Sequence, residues 1–195
     1  MQQFLYSIDN ILTPDECKYY IGFFSDPEKV EHINDTHRKY HRVQFVDENL
    51  ANHLYNKIQA YIPKKIKKIS VGMNSHFRLS KYEEGQFFGI HKDGINFEFA
   101  NKEARANHGR RSGPILAKQQ NMSYATLNIF LNDNFEGGET IFYKNDKKTV
   151  TLTCKPKVGR ASFFYSQQYH EGAKLLSGYK YLLRTDLMIN HNKKL

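Results

Sequence analysis

From about residue 71 onward this chain of 195 residues becomes a succession of short segments in which apolar and polar side chains alternate, and no other feature restricts its fold as tightly. Strands are predicted over 74–82, 86–93, 123–131, 139–143, 149–154, 160–166 and 179–189, with turns at 83–85, 132–138 and 156–159. The first 70 residues read differently. A short strand over 4–8 precedes Thr13-Pro14-Asp15-Glu16, which supplies an N-cap, a proline at the first helical position and a glutamate at the third. The helix predicted from there to about Phe24 turns Cys17, Tyr20, Ile21 and Phe24 to one side. A second amphipathic helix is expected over 47–61, carrying Leu50, Leu54, Ile58 and Tyr61 and stopped by Pro63. Two helices followed by many strands predict an α+β, mainly β fold around a curled antiparallel sheet.

The length suits one domain over 1–195, with a helical part over about 1–70 and a barrel core over about 71–190. Thirteen Tyr and fourteen Phe with no Trp make aromatic strands the expected core material. Cys17 and Cys154 are too few for a disulfide framework and fit a reducing compartment. No apolar run approaches the ~18 residues of a membrane span, and the opening residues lack a secretory pattern, so a soluble, cytoplasmic protein is expected. The net charge of +9 and pI near 9.4 suit an acidic partner, nucleic acid included, or simply a solubilising surface. The run 64–68 is basic, but such runs are usually solvated. Residues 25–41 are polar and turn-rich, and their His32, His37 and His41 are assigned to the surface. The polar segment 95–122, with Lys102, Arg105, Arg110, Arg111 and Lys118, is expected to be a lid.

The chemistry concentrates at His91-Lys92-Asp93. Chance alone supplies ~0.4 His-x-Asp pairs in such a chain, so the spacing needs support from elsewhere. Strand alternation turns both side chains to one face just before Gly94, and His170 follows the apolar run 161–164 at another strand end. Two imidazoles and a carboxylate leave half of an iron's coordination sphere open. The last strand sets Lys180, Leu182 and Arg184 on one face, and a cation turned inward needs an anionic partner.

With these residues in view, the chain resembles the iron(II)/2-oxoglutarate-dependent dioxygenases, and within them the prolyl 4-hydroxylase-like branch. The resemblance runs through YEEGQFFGIHKDG (82–94), TLNIFLNDNFEGGET (126–140), 156–164 and HEGAKLLSGYKYLLRTDLM (170–188), and residues 10–17 look like that group's first helix. It implies a double-stranded β-helix, or jelly roll, with N-terminal helices packed on it. It further implies His91, Asp93 and His170 as the metal ligands, Lys180 as the cation for the far carboxylate of 2-oxoglutarate, and Tyr82 in the cosubstrate pocket. Arg184 shares the face of Lys180 and competes with it for that role, since a guanidinium gives the bidentate fork carboxylates favour. Thr126 and Asn128 are weaker candidates on the strand behind.

The activity so implied is hydroxylation of a substrate C–H bond using Fe(II), 2-oxoglutarate and O2, with ascorbate as reductant and with release of succinate and CO2. The branch favours a peptidyl proline, with the substrate lying near 95–122. A nucleic-acid or small-molecule oxygenase, and a non-catalytic jelly-roll binding protein, are the alternatives. A zinc hydrolase built on the same triad would leave a buried Lys180 without a role.

Overall fold

The computed structural model describes residues 4–99, 119–190 and 192–193. The chain opens with β1 (Leu5–Ile8) and α1 (Pro14–Ile21), the latter continued by a 3-10 turn over Gly22–Ser25. The expected capping box is formed: Glu16 N donates to Thr13 Oγ1 at 3.2 Å, and Thr13 N donates to Glu16 Oε2 at 2.7 Å. Next come β2 (Glu31–Asn34), β3 (Arg38–Val46), α2 (Glu48–Ile58) and the single turn α3 (Lys64–Lys67). Asp47 caps α2 by accepting from Leu50 N at 2.8 Å, and the helix buries Leu50, Ala51, Leu54 and Ile58.

The remaining strands are β4 (Ser70–Met73), β5 (His76–Tyr82), β6 (Phe87–His91), β7 (Phe97–Phe99) and β8 (Gln119–Phe130). They continue with β9 (Glu136–Gly137), β10 (Thr140–Tyr143), β11 (Val150–Cys154), β12 (Ala161–Tyr165), β13 (His170–Gly172), β14 (Leu175–Ser177) and β15 (Lys180–Asn190). Thirteen of them form one sheet in the order β1-β12-β8-β15-β5-β3-β6-β13-β10-β11, with β2 on β3, β4 on β15 and β7 on β8, while β14 pairs with β9. The antiparallel sheet rolls up as a jelly roll.

Alternation gives the sheet two unlike faces. Leu79, Leu127, Ile129, Leu183 and Leu187 join Leu54 and Ile58 of α2 in the main core. Each large apolar side chain buried there stabilises the fold by roughly 1.5–3 kcal/mol. On the opposite face Phe130, Phe142, Phe164 and Leu182 close the inside of the roll. Toward its mouth that inner face turns polar.

Two expectations are corrected. The polar stretch 25–41 is not mainly turn: it holds β2 and the start of the nine-residue β3, which pairs with β2, β5 and β6. The strand expected to resume at Ser123 begins at Gln119, and β7 pairs with it through Phe97↔Met122, so both flanks of the anticipated 95–122 lid are strand. Its middle, 100–118, lies outside the described residues. His37 is exposed, as expected, and from there donates from Nε2 to Ile90 O at 3.1 Å and so braces β6. Cys17 and Cys154 are buried free thiols. No helix among the described residues is long and apolar enough to cross a membrane.

The N-terminal segment is tied to the roll at Gly159, whose carbonyl accepts from Ile11 N at 2.8 Å and whose N–H donates to Phe130 O at 2.9 Å. Gly159 has φ +71°, and a Cβ there would meet Leu12 O at 2.0 Å. Gly159→Ala is therefore expected to lose about 3 kcal/mol or more in urea unfolding, from left-handed strain plus the clash. Gly22→Ala is the control: its φ is −57° and nothing lies within 4 Å of the added Cβ, so it should be neutral or stabilising by about 0.4–1 kcal/mol.

Candidate metal centre

His91 is the last residue of β6 and His170 the first of β13, and the two are directly paired across the ladder. Sequence alternation set His91 and Asp93 on one strand face; the strand instead ends at His91, and Asp93 is held from the side. Its N–H donates to Ser166 O at 3.0 Å, and its carbonyl accepts from Gln167 Nε2 at 2.7 Å. His170, expected at the end of the strand beginning near residue 160, opens a new one.

The three side chains converge. His91 Nε2 lies 3.5 Å from Asp93 Oδ1 and His170 Nε2 lies 3.8 Å from Asp93 Oδ2, and one ligand atom from each of the three falls within 4.8 Å of the others. Both measured separations are below ~4.2 Å, twice a metal–nitrogen bond, so one ion can reach both members of each pair. The protons are in the right places. His91 Nδ1 sits 2.8 Å from Gly89 O and His170 Nδ1 sits 3.0 Å from Gln168 O. A carbonyl only accepts, so each Nδ1 carries the hydrogen and each Nε2 presents a lone pair. Burial pushes the His170 pKa down to about 4, against the pull of Asp93, which keeps that imidazole neutral at physiological pH.

Burial alone would raise the Asp93 pKa, but the charge of Arg184, then His170 and His91, holds the carboxyl well below the usual range. Arg184 Nη1 is 2.7 Å from Asp93 Oδ1, and Thr126 Oγ1 donates to Oδ2 at 2.6 Å. Arg184 Nη2 also reaches Asp186 Oδ1 at 3.3 Å, while Asp186 Oδ2 accepts from Asn96 Nδ2 at 2.6 Å and faces Arg78 Nη1 at 3.6 Å. The donor set of two imidazole nitrogens and an ionised carboxylate oxygen fits Fe(II).

Deeper in the same cavity lies Lys180, 1% exposed and directly opposite Tyr82 across the β15–β5 ladder. Its Nζ stands 4.8 Å over the Tyr82 ring and 5.4 Å over Phe130. No carboxylate among the described residues forms an ion pair with it. Burial lowers its pKa from 10.5 to about 8, partly opposed by Glu139. Gly138, at φ +67°, makes room: a Cβ there would sit 3.1 Å from Lys180 Cδ. Nearby, Asn128 Oδ1 is buried without a hydrogen-bond partner. The buried ammonium fits a carboxylate-bearing small molecule beside the ion.

The cavity brings together His91, Asp93, His170, Lys180, Tyr82 and Arg184. It also contains Tyr40, Arg78 and Ser80, which the sequence reading did not name. Arg78 and Ser80 share the parity of Tyr82 on β5 and were within reach of that rule. Tyr40 was not, because β3 was not predicted.

Three similarities bear on this geometry. A solved viral collagen prolyl hydroxylase of Paramecium bursaria Chlorella virus-1, in complex with 2OG, superposes with TM-score 0.63 at 20% identity over 95% of this chain and 96% of that one. A prolyl hydroxylase of Trichoplax adhaerens, solved with a hypoxia inducible factor oxygen degradation domain peptide fragment, gives TM-score 0.62 at 15% identity over 94% and 82%. Rat (Rattus norvegicus) prolyl 3-hydroxylase 2 is 55% identical over 43 residues, a stretch covering 22% of this chain and only 6% of that protein. At these identities the superpositions speak for the fold. The family model of the 2OG-Fe(II) oxygenase superfamily matches residues 77–185, the stretch that holds all three convergent side chains and Lys180, and the chain belongs to that superfamily.

Proposed function

We propose that this chain, acting as one catalytic domain, is a peptidyl-prolyl hydroxylase in which His91, Asp93 and His170 hold Fe(II) and Lys180, with Tyr82, binds 2-oxoglutarate. The observation that carries the reading is the pairing of a convergent two-histidine, one-carboxylate set with a buried ammonium that has no carboxylate partner among the described residues. With O2, and ascorbate as reductant, the iron supplies oxidative decarboxylation of the 2-oxo acid to succinate and CO2 coupled to C–H hydroxylation. A reducing, cytoplasmic setting suits the two free thiols.

The protein's own share is orientation and exclusion of water. Phe88 stacks on the His91 imidazole at 3.6 Å and 8°, while Phe142 and Phe164 pack around His170. Thr126 and Arg184 fix the Asp93 carboxylate. Because Arg184 is already engaged by Asp93 and Asp186, Lys180 is the better anchor for the far carboxylate of the cosubstrate. A peptide substrate is supported by the named activities of the similar proteins, one of them solved with a peptide.

Incubation with Fe(II), ascorbate and labelled 2-oxoglutarate should yield succinate, and proline-rich peptides should stimulate it. Asp93→Ala and His170→Ala should abolish turnover and weaken metal binding at least 10-fold; wild-type succinate yield from Asp93→Ala would overturn the ligand assignment.

Lys180 gives a prediction of opposite sign on stability. Its folded-state pKa of about 8 is below the ordinary 10.5, so the unfolded chain binds more protons between those values. The resulting destabilisation, on the order of 3 kcal/mol, is fully present below pH 8 and disappears as pH rises through that window. Lys180→Met should therefore melt higher than wild type at pH 7 without ligand, by differential scanning calorimetry, while losing 2-oxoglutarate affinity. For the wild type, that affinity should fall as pH rises beyond about 8.

A further inference from the structure

Outside the metal centre a groove of about 460 Å³ shares His91, Asp93 and Arg184 with it and continues across β3 and β5. Its walls carry five cations, Arg38, Arg42, Arg78, Lys92 and Arg184, against two carboxylates, Asp35 and Asp93. Such an excess in a partly enclosed space calls for an anion from outside.

The strand registers line the arginines up. Arg184 on β15 stands directly opposite Arg78 on β5, and Arg42 on β3 is paired with Ser80, two residues along the same β5 face. Like charges opposed across a ladder are unfavourable unless a counter-ion lies between them. Asp186 serves that purpose for the inner pair, at 3.3 Å from Arg184 and 3.6 Å from Arg78. Among the described residues no carboxylate does so on the outer side. Asp35 is taken by Arg38 Nε and by the N–H groups of His37 and Arg38. Arg42 reaches Glu31 on the exposed β2, yet its Nε is buried with no hydrogen-bond partner. Arg78 spends one bond on Asn96 Oδ1 at 3.1 Å. Burial and the neighbouring Arg184 and Arg42 all work against the charge on Arg78, so an added anion there is favoured. A guanidinium offers five N–H donors in a fork that matches a carboxylate.

We propose that Arg42 and Arg78 form a subsite for an acidic side chain of the substrate, so that the substrate class is an acidic peptide with Asp or Glu close to the reacting proline. This rests on the prolyl-hydroxylase reading above and narrows it. A polyanionic nucleic acid fits less well, because Asp35 and Asp93 stand in the same wall.

The test is calorimetric titration of the 195-residue chain, without turnover, using capped alanine-based decapeptides with one central proline. One set carries Glu within two residues of the proline on either side, the other Gln at the same places. Glu peptides should bind at least 10-fold tighter at low ionic strength, with the margin shrinking as salt rises. Arg42→Gln and Arg78→Gln should erase the Glu preference while still binding Gln peptides, and Arg42→Lys should restore part of it. Because the readout is the Glu-to-Gln ratio within one protein, a partly destabilised variant still reports. Equal affinity for the two sets, or an unchanged ratio in Arg42→Gln, overturns the subsite and leaves the prolyl reading standing. Failure of every peptide to bind overturns both. Displacement of peptide by a single-stranded oligonucleotide, with steep salt dependence, assigns the groove to nucleic acid instead.

Discussion

One buried carboxylate organises this structure. Asp93 is 3% exposed, and an ionised group there is tolerable only if its oxygens are fully occupied. Arg184, Thr126, His91 and His170 occupy them, while Ser166 and Gln167 hold its main chain. Those partners come from β6, β8, β13, β15 and the loop after β12, so five parts of the roll must be in place before the charge is satisfied. The requirement propagates through Arg184 to Asp186 and on to Asn96 and Arg78, giving a chain of alternating charges from the metal centre to the groove. Removing one member strands its neighbour, which is why buried pairs resist single substitutions far more than their net contribution suggests.

Lys180 sits in the same sheet under the opposite condition. Arg184 is paired within the protein; Lys180 Nζ stands over the Tyr82 and Phe130 rings and forms no ion pair with a carboxylate among the described residues. A residue kept charged, buried and unpaired lowers stability, and the surrounding elements must offset it. Cβ-less Gly138 and the Phe130, Phe142, Phe164 and Leu182 cluster beneath it do so by packing. The contrast separates the two cations: one is held by Asp93 and Asp186, and the other forms no ion pair among the described residues.

Much of this was legible in the sequence, for definable reasons. The capping box of α1 and the apolar stripe of α2 are local signals. His91, Asp93, His170, Tyr82 and Lys180 were singled out because they fall in motifs with fixed spacing, and one cavity is lined by all five. What escaped notice was β3. Its Val43 and Phe45 face the core, but Arg38, Tyr40 and Arg42 line the groove, so it lacks the apolar regularity that marks a strand. The polarity that hid it is the polarity that lines the site. Asp93 was placed on the right side for an incomplete reason, since alternation ends at His91 and long-range bonds to Ser166 and Gln167 do the rest. No local rule reports a bond across 73 residues of chain.

The accuracy of the centre is finally a matter of register. His170↔His91, Lys180↔Tyr82, Arg184↔Arg78, Arg184↔Asn128 and Asp186↔Thr126 are all direct cross-strand pairs. A slip of one residue in β15 would send Lys180, Arg184 and Asp186 to the helix face and bring Leu183 inward. That slip is prevented on the other side of the sheet, where Leu183 and Leu187 pack with Leu79, Leu127, Ile129 and α2. The apolar residues that never approach the site therefore set its geometry. Where the ladder must depart from regularity it does so at the rim: the irregularity between His170 and Gly172 lies beside the ligand it aims, as bulges near functional sites do.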